Sequence, residues 1–167
     1  MRLFFSLICV LLINTPSYAL DQPSGRVILT ISNALDDANA EHGIEFDLDM
    51  LNALPQRSVT THNPWTKGSH TYRGFSAKDL LATIESKATL LKVIALNQYM
   101  TEIPISDFTE RGAIFATHLD GHPMSVRKLG PIMVIYPFDD QPELKSETYY
   151  GRSIWQIHRI ETYFIAE

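Results

Sequence analysis

Six histidines, His42, His62, His70, His118, His122 and His158, are the side chains of this 167-residue chain best suited to hold a metal ion. Only His118 and His122 stand four apart, the interval that puts two imidazoles on one helical face. Asp120-Gly121 and Pro123 break any helix there, so both read as exposed loop histidines. Covalent catalysis has no stronger basis. No Gly-x-Ser-x-Gly elbow occurs, and Ser76 and Ser106 are explained as helix N-caps. Neither a glycine-rich phosphate loop nor a dinucleotide fingerprint is present. The carboxylate pairs Asp36-Asp37 and Asp139-Asp140 stand in turn-like surroundings and read as solvated turn residues.

A different chemistry is better represented. Asn63, Trp65, Thr66, Tyr72, Arg73, Asn97, Tyr99, Arg127, Tyr136 and Trp155 all fall beside expected turns. Aromatic faces next to amide and guanidinium groups suit a flat ligand with a polar edge: the ring stacks, and fixed donors and acceptors read its rim. Trp65 and Trp155 are both candidates for the stacking face, and filling the core is the competing role for each.

Short elements must position these groups. Asp120-Gly121 predicts a tight hairpin, whose two central residues take positive φ. Strand-like Ala113 to Leu119 precedes it. An extended piece to Arg127, a breaker at Gly130-Pro131 and the apolar run Ile132 to Tyr136 follow. Arg127 thus falls just before a turn leading into the core. Asn63-Pro64-Trp65-Thr66 reads as a turn between strand-like pieces, with Lys67-Gly68-Ser69 and Arg73-Gly74 as further loop signals. Val27 to Ile31 and Ile44 to Phe46 read as strands, and Asn33 to His42 as a polar loop. Asp47 is placed to cap a helix through Leu54, closed by Pro55. Ser76-Ala77-Lys78-Asp79 has capping-box spacing ahead of a helix ending near Lys87. Leu90 to Leu96 reads as a buried strand interrupted by Asn97-Gln98-Tyr99. Glu102 to Ile105 is extended, and Ser106 is placed to cap a turn of helix from Asp107 to Arg111. Phe138 to Pro142 reads as a surface loop. Ser153 to Ile160 reads as a last strand, with Ile154, Gln156, His158 and Ile160 on one face and Trp155, Ile157 and Arg159 on the other. Strands outnumber short helices, which predicts an α+β class with a mixed or mainly antiparallel sheet.

Met1-Arg2, the apolar stretch Leu3 to Ile13 and Ser17-Tyr18-Ala19 have the three parts of a secretory leader, predicting residues 1–19 as a signal peptide cleaved after Ala19. The apolar stretch is too short to span a bilayer. Residues 20–167 are then expected to form one domain in the periplasm. The chain carries 14 Lys and Arg against 19 Asp and Glu, and loss of Arg2 with the leader makes it more acidic still, which argues against nucleic acid as a partner. Cys9 is the single cysteine and leaves with the leader, so the exported protein has no thiol to form a disulfide, attack a substrate or ligate a metal.

Arg73-Gly74-Phe75 with Asp79-Leu80-Leu81, Ala95-Leu96-Asn97-Gln98-Tyr99, Asp120-Gly121-His122-Pro123-Met124, and Gly130-Pro131 with Ile135-Tyr136-Pro137 follow one another in an order that resembles the molybdopterin-binding domain of the sulfite oxidase fold. The resemblance covers roughly Phe46 to Ile160 and implies a sulfite oxidase-like α+β fold, a mixed sheet with short helices. Enzymes of that fold ligate molybdenum through a cysteine thiolate, and the corresponding region here offers Thr60, Thr61, His62 and Asn63. The chain is in this respect similar to small periplasmic pterin-binding signalling proteins of the PruR type. That resemblance implies a pterin as ligand, no molybdenum, and a partner in the periplasmic domain of an inner-membrane GGDEF/EAL-type protein that controls cyclic di-GMP and biofilm formation. The implied ligand contacts are Asn63, Trp65, Thr66, Arg73, Asn97, Tyr99, Arg127, Tyr136 and Trp155. A molybdopterin-dependent oxidoreductase and a non-catalytic interaction domain are the alternatives at this level.

Overall fold

A computed structural model describes residues 22–33 and 43–165. The expected leader and most of the expected polar loop, with Asp36-Asp37 and His42, lie outside the described residues. Among those described, no helix is long and apolar enough to cross a membrane.

The described residues form two five-stranded sheets as the frame. The first takes β1 (Val27–Asn33), β2 (Ile44–Asp47), β5 (Leu90–Ala95), β6 (Met100–Pro104) and β10 (Ile157–Tyr163) in the order β2-β1-β10-β5-β6. Its β1–β10 pair is parallel and its other pairs are antiparallel. The second runs β3 (Gln56–His62), β4 (Ser69–Phe75), β7 (Ile114–Leu119), β8 (His122–Pro123), with β9 (Met133–Ile135) also paired to β7. Among the described residues four short helices complete it: α1 (Leu48–Ala53), α2 (Ala77–Thr83), α3 (Ser106–Thr109) and α4 (Glu147–Arg152). One core joins the sheets, taking Leu29, Ile31, Val93 and Ile160 from the first and Tyr72, Phe75, Phe115 and Val134 from the second. This is the α+β class with mixed pairing that the strand-rich pattern predicts, divided between two sheets.

Local chemistry accounts for the boundaries. Asp47 caps α1 by accepting from the Met50 amide at 2.9 Å, and its other oxygen accepts from Ser24 and Gly25. Ser76 caps α2 through the Lys78 amide. No reciprocal capping box forms, because Asp79 turns to Arg57 at 3.2 Å, and α2 stops at Thr83 rather than near Lys87. Ser106 is the first helical residue of α3 and makes no cap hydrogen bond, since Ile105 holds the cap position. Asp120 and Gly121 have φ of 48° and 80°, the two positive angles that the β7–β8 hairpin turn requires.

Three further sequence expectations are corrected. Arg73-Gly74 lies inside β4, not in a loop. A Cβ at Gly74 would stand 1.9 Å from the Phe115 carbonyl oxygen, so this glycine permits close approach of β4 and β7 at a register shift in their pairing. Phe138 is buried within the expected surface loop, while Asp139, Asp140 and Pro142 there are exposed. The final strand begins at Ile157. Gln156, with φ of 56°, and a register shift beside Ile157 reset the alternation, so Ile157 and Ile160 are both buried.

Candidate functional site

The loop after β3 is built on one side chain. Asn63 Oδ1 accepts from the amides of Trp65 and Thr66 at 3.0 and 3.1 Å and from the Thr66 hydroxyl at 3.1 Å. Its Nδ2 donates to the Tyr72 hydroxyl at 2.7 Å, which ties the loop to the buried centre of β4. These bonds spend Asn63 and Thr66 on holding Trp65 in place.

Trp65 faces a cavity of about 410 Å³, lined also by Ala95, Asn97, Tyr99, Tyr150 and Trp155, with Gly151, Ser153 and Ile154 completing the wall. The Trp65 and Trp155 rings stand 5.6 Å apart at 53°, and Tyr150 meets Trp65 edge-on at 6.1 Å. Asn97 and Tyr99 come from the turn joining β5 to β6. Asn97 Oδ1 accepts from the Tyr99 amide at 3.0 Å, and the Tyr99 hydroxyl donates to the Gly151 carbonyl at 3.1 Å, bridging that turn to α4. The Asn97 amide nitrogen has no protein partner among the described residues and is exposed at the rim. Among the described residues no charged side chain lines the cavity. Its size and aromatic walls match a small planar heterocycle, for which Asn97 is a hydrogen-bond donor.

Of the nine expected contacts, Trp65, Asn97, Tyr99 and Trp155 line this cavity, and Asn63 and Thr66 stand behind Trp65. Arg73 points elsewhere: its Nη1 donates to Gln56 Oε1 at 3.1 Å within the second sheet. Beside it, burial first and the Arg73 charge second hold the His118 pKa below the usual imidazole value. Tyr136 is fully buried. Its hydroxyl donates to Asp107 Oδ2 at 2.7 Å, and burial, reinforced by that bond, keeps the phenol neutral far above the ordinary tyrosine range. Arg127 is exposed in the 3-10 turn Val126–Lys128 and does not reach the cavity wall. That turn is nonetheless tethered beside Trp155, because Gln156 Nε2 donates to the Val126 carbonyl at 2.7 Å.

Tyr150, Gly151, Ser153 and Ile154 are wall residues that sequence reasoning missed, together with α4 that carries or precedes them. Ser146 followed by Glu147 was the available signal for the helix start. Below the wall, Arg152 turns inward, pairs with Asp107 at 3.0 Å and lies over the Tyr149 ring at 5.8 Å, which anchors the end of α4. Ser153 closes the helix by donating its hydroxyl to the Tyr149 carbonyl at 2.8 Å.

The donors near residues 60–63 are occupied otherwise. The Thr60 and Thr71 hydroxyls pair at 2.9 Å, and the buried Thr61 hydroxyl bonds the His62 carbonyl and the Asp139 amide. His62 and Lys145 both bond the Asp139 carboxylate, whose pKa falls to about 2, chiefly through the His62 side chain and amide. Among the described residues no three His, Cys, Asp or Glu side chains are grouped to hold a metal ion, and none is a cysteine. Among the described residues the donor set offers no thiolate to ligate molybdenum.

No protein-family model and no curated protein matches the chain. Among solved structures it is similar to the sulfane dehydrogenase SoxCD from Paracoccus pantotrophus, at 16% identity and a TM-score of 0.58, over 81% of this chain. The chain corresponds to 37% of the length of that neighbour. The likeness establishes the fold: a sulfite oxidase-like α+β domain.

Proposed function

We propose that this protein binds a pterin ring between Trp65, Trp155, Tyr150 and Tyr99 and serves as a binding protein without a molybdenum centre. The observation that carries the reading is the uncharged aromatic cavity formed where the β3–β4 loop, the β5–β6 turn and the end of α4 meet. Asn97 at its rim supplies a polar contact for the heterocycle edge. In this reading the leader exports the chain to the periplasm. Pterin occupancy shifts the population of a form recognised by the periplasmic domain of a membrane GGDEF/EAL-type protein, and through it cyclic di-GMP and biofilm formation.

Isothermal titration with reduced and oxidised pterin tests the ligand. Trp155→Ala and Trp65→Ala are each expected to weaken binding about tenfold or more, in line with the loss of an aromatic stacking partner. Equal affinities in both variants and wild type would remove the site assignment, and absence of binding in wild type would remove the ligand. The same preparation, purified from a periplasmic fraction, is expected to begin at Leu20.

The similarity to a dehydrogenase favours a second reading, an oxidoreductase that carries molybdopterin with its metal. Stoichiometric molybdenum in protein purified from the periplasm would establish it over the first.

A further inference from the structure

His70, near the start of β4, has an acceptor at each ring nitrogen. Nδ1 meets Asp120 Oδ2 at 2.6 Å, and Nε2 meets the Lys67 carbonyl oxygen at 3.0 Å. A carboxylate and a carbonyl only accept, so both bonds exist together only when the ring carries two protons. The surroundings favour that state. Asp120 is itself held by the Thr71 amide at 3.0 Å, and the Tyr72 ring stands edge-on to the imidazole at 6.5 Å. His122, two residues beyond Asp120 on β8, is the other titratable side chain of the hairpin and makes no hydrogen bond to His70 or Asp120 among the described residues. The Asp120 hydrogen bond outweighs partial burial and raises the His70 pKa above 6.5.

The Lys67 carbonyl belongs to the loop that carries Trp65. Asn63 and Tyr72 hold the inner half of that loop, and His70 holds its outer half beside Gly68, whose φ is 89°. We propose that His70 is a proton-dependent staple of the cavity wall: as an imidazolium it joins the Trp65 loop to the Asp120-Gly121 hairpin, and on losing a proton it releases the loop. The inference rests on the pterin reading for its consequence in affinity but not for the staple itself. Because the folded-state pKa is raised, the staple is complete below 6.5 and is lost as pH rises through the raised value.

Two measurements without ligand test the staple. In nitrogen-15 spectra of the histidine rings, both nitrogens of His70 are expected to be protonated at about pH 6, with a midpoint above the usual imidazole value that falls in Asp120→Asn. In Trp155→Phe, where Trp65 is the remaining tryptophan, emission is expected to shift with the same midpoint, and adding His70→Gln is expected to abolish the shift. A singly protonated ring at that pH, or emission that stays flat through the His70 titration, overturns the proposal. In the ligand arm, pterin affinity of the wild type is expected to fall about three- to tenfold across the midpoint, the scale of one hydrogen bond, and not in His70→Gln. The same pH dependence in both proteins overturns the link to binding. If emission follows His70 while no pterin binds at any pH, the staple stands and the pterin reading falls.

Discussion

At the scale of single residues, Asp107 supports the cavity wall without touching the cavity. It is almost fully buried and accepts from both the Tyr136 hydroxyl and Arg152, which follows cavity-lining Gly151. Asp107→Ala leaves a guanidinium and a phenol without their acceptor beneath α4, and is expected to cost about 3 kcal/mol, the lower end for breaking a buried ion pair because Arg152 keeps some exposure. Tyr136→Phe removes one bond to a carboxylate that keeps Arg152, and is expected to cost about 1.5 kcal/mol. Urea denaturation of the two variants checks the order as well as the sizes. Tyr136 shows where sequence reasoning stops. It ends a run, Ile132 to Tyr136, in which every residue is buried, so no alternation revealed that its hydroxyl faces a buried carboxylate rather than a cleft.

At the scale of elements, Gly74 decides how closely β4 and β7 can pair. The atoms an added Cβ would meet are backbone, the Phe115 carbonyl oxygen at 1.9 Å and the Ala116 Cα at 2.7 Å, and backbone cannot rotate aside as a side chain would. Gly74→Ala is expected to destabilise by about 3 kcal/mol or more, seen as a lower denaturation midpoint with an unchanged slope. The elements set by local chemistry were legible in the sequence: the Asp47 and Ser76 caps, the Asp120-Gly121 hairpin, and the turn around Asn63 that delivers Trp65. Those set by tertiary contact were not. Gly74 carries the letter of a loop and serves a strand interior. α4 was hidden because Tyr149 and Tyr150 take their places from Tyr136, Phe138 and Trp65, residues distant in sequence. Half of the candidate site was therefore visible as turn chemistry, and the other half exists only once α4 folds against it.

For the whole molecule, charge predicts an asymmetric dependence on pH. Asp47, held by the Met50 and Gly25 amides, Asp120, held by His70, and Asp139, held by His62, all have lowered pKa values, and so does Glu161, where Lys92 and Tyr163 overcome the effect of burial. Groups lowered in the folded state stabilise it above their ordinary values of 3.8 and 4.5, and that contribution disappears as pH falls through the folded values, down to about 2 for Asp139. The melting temperature is expected to decline progressively below about pH 4.5, without a single acid step. Calorimetric scans from neutral to strongly acid pH check this, and a constant melting temperature across that range would contradict it.

The first sheet also sets a schedule for folding. Its middle strand is β10, the last strand described, and a hydrogen bond there joins Thr162 to Ser32, 130 residues earlier. On the side away from β2, β1 waits for a neighbour that follows it by some 130 residues, as between Ser32 and Thr162, and β5 and β6 form only a hairpin meanwhile. Pairing over so long a separation is slow, and the open edges of β1 and β5 remain available to other chains until β10 arrives. Until β10 pairs, the first sheet consists of two separate hairpins, β1–β2 and β5–β6, and its unpaired edges make it the expected point of misassembly during refolding.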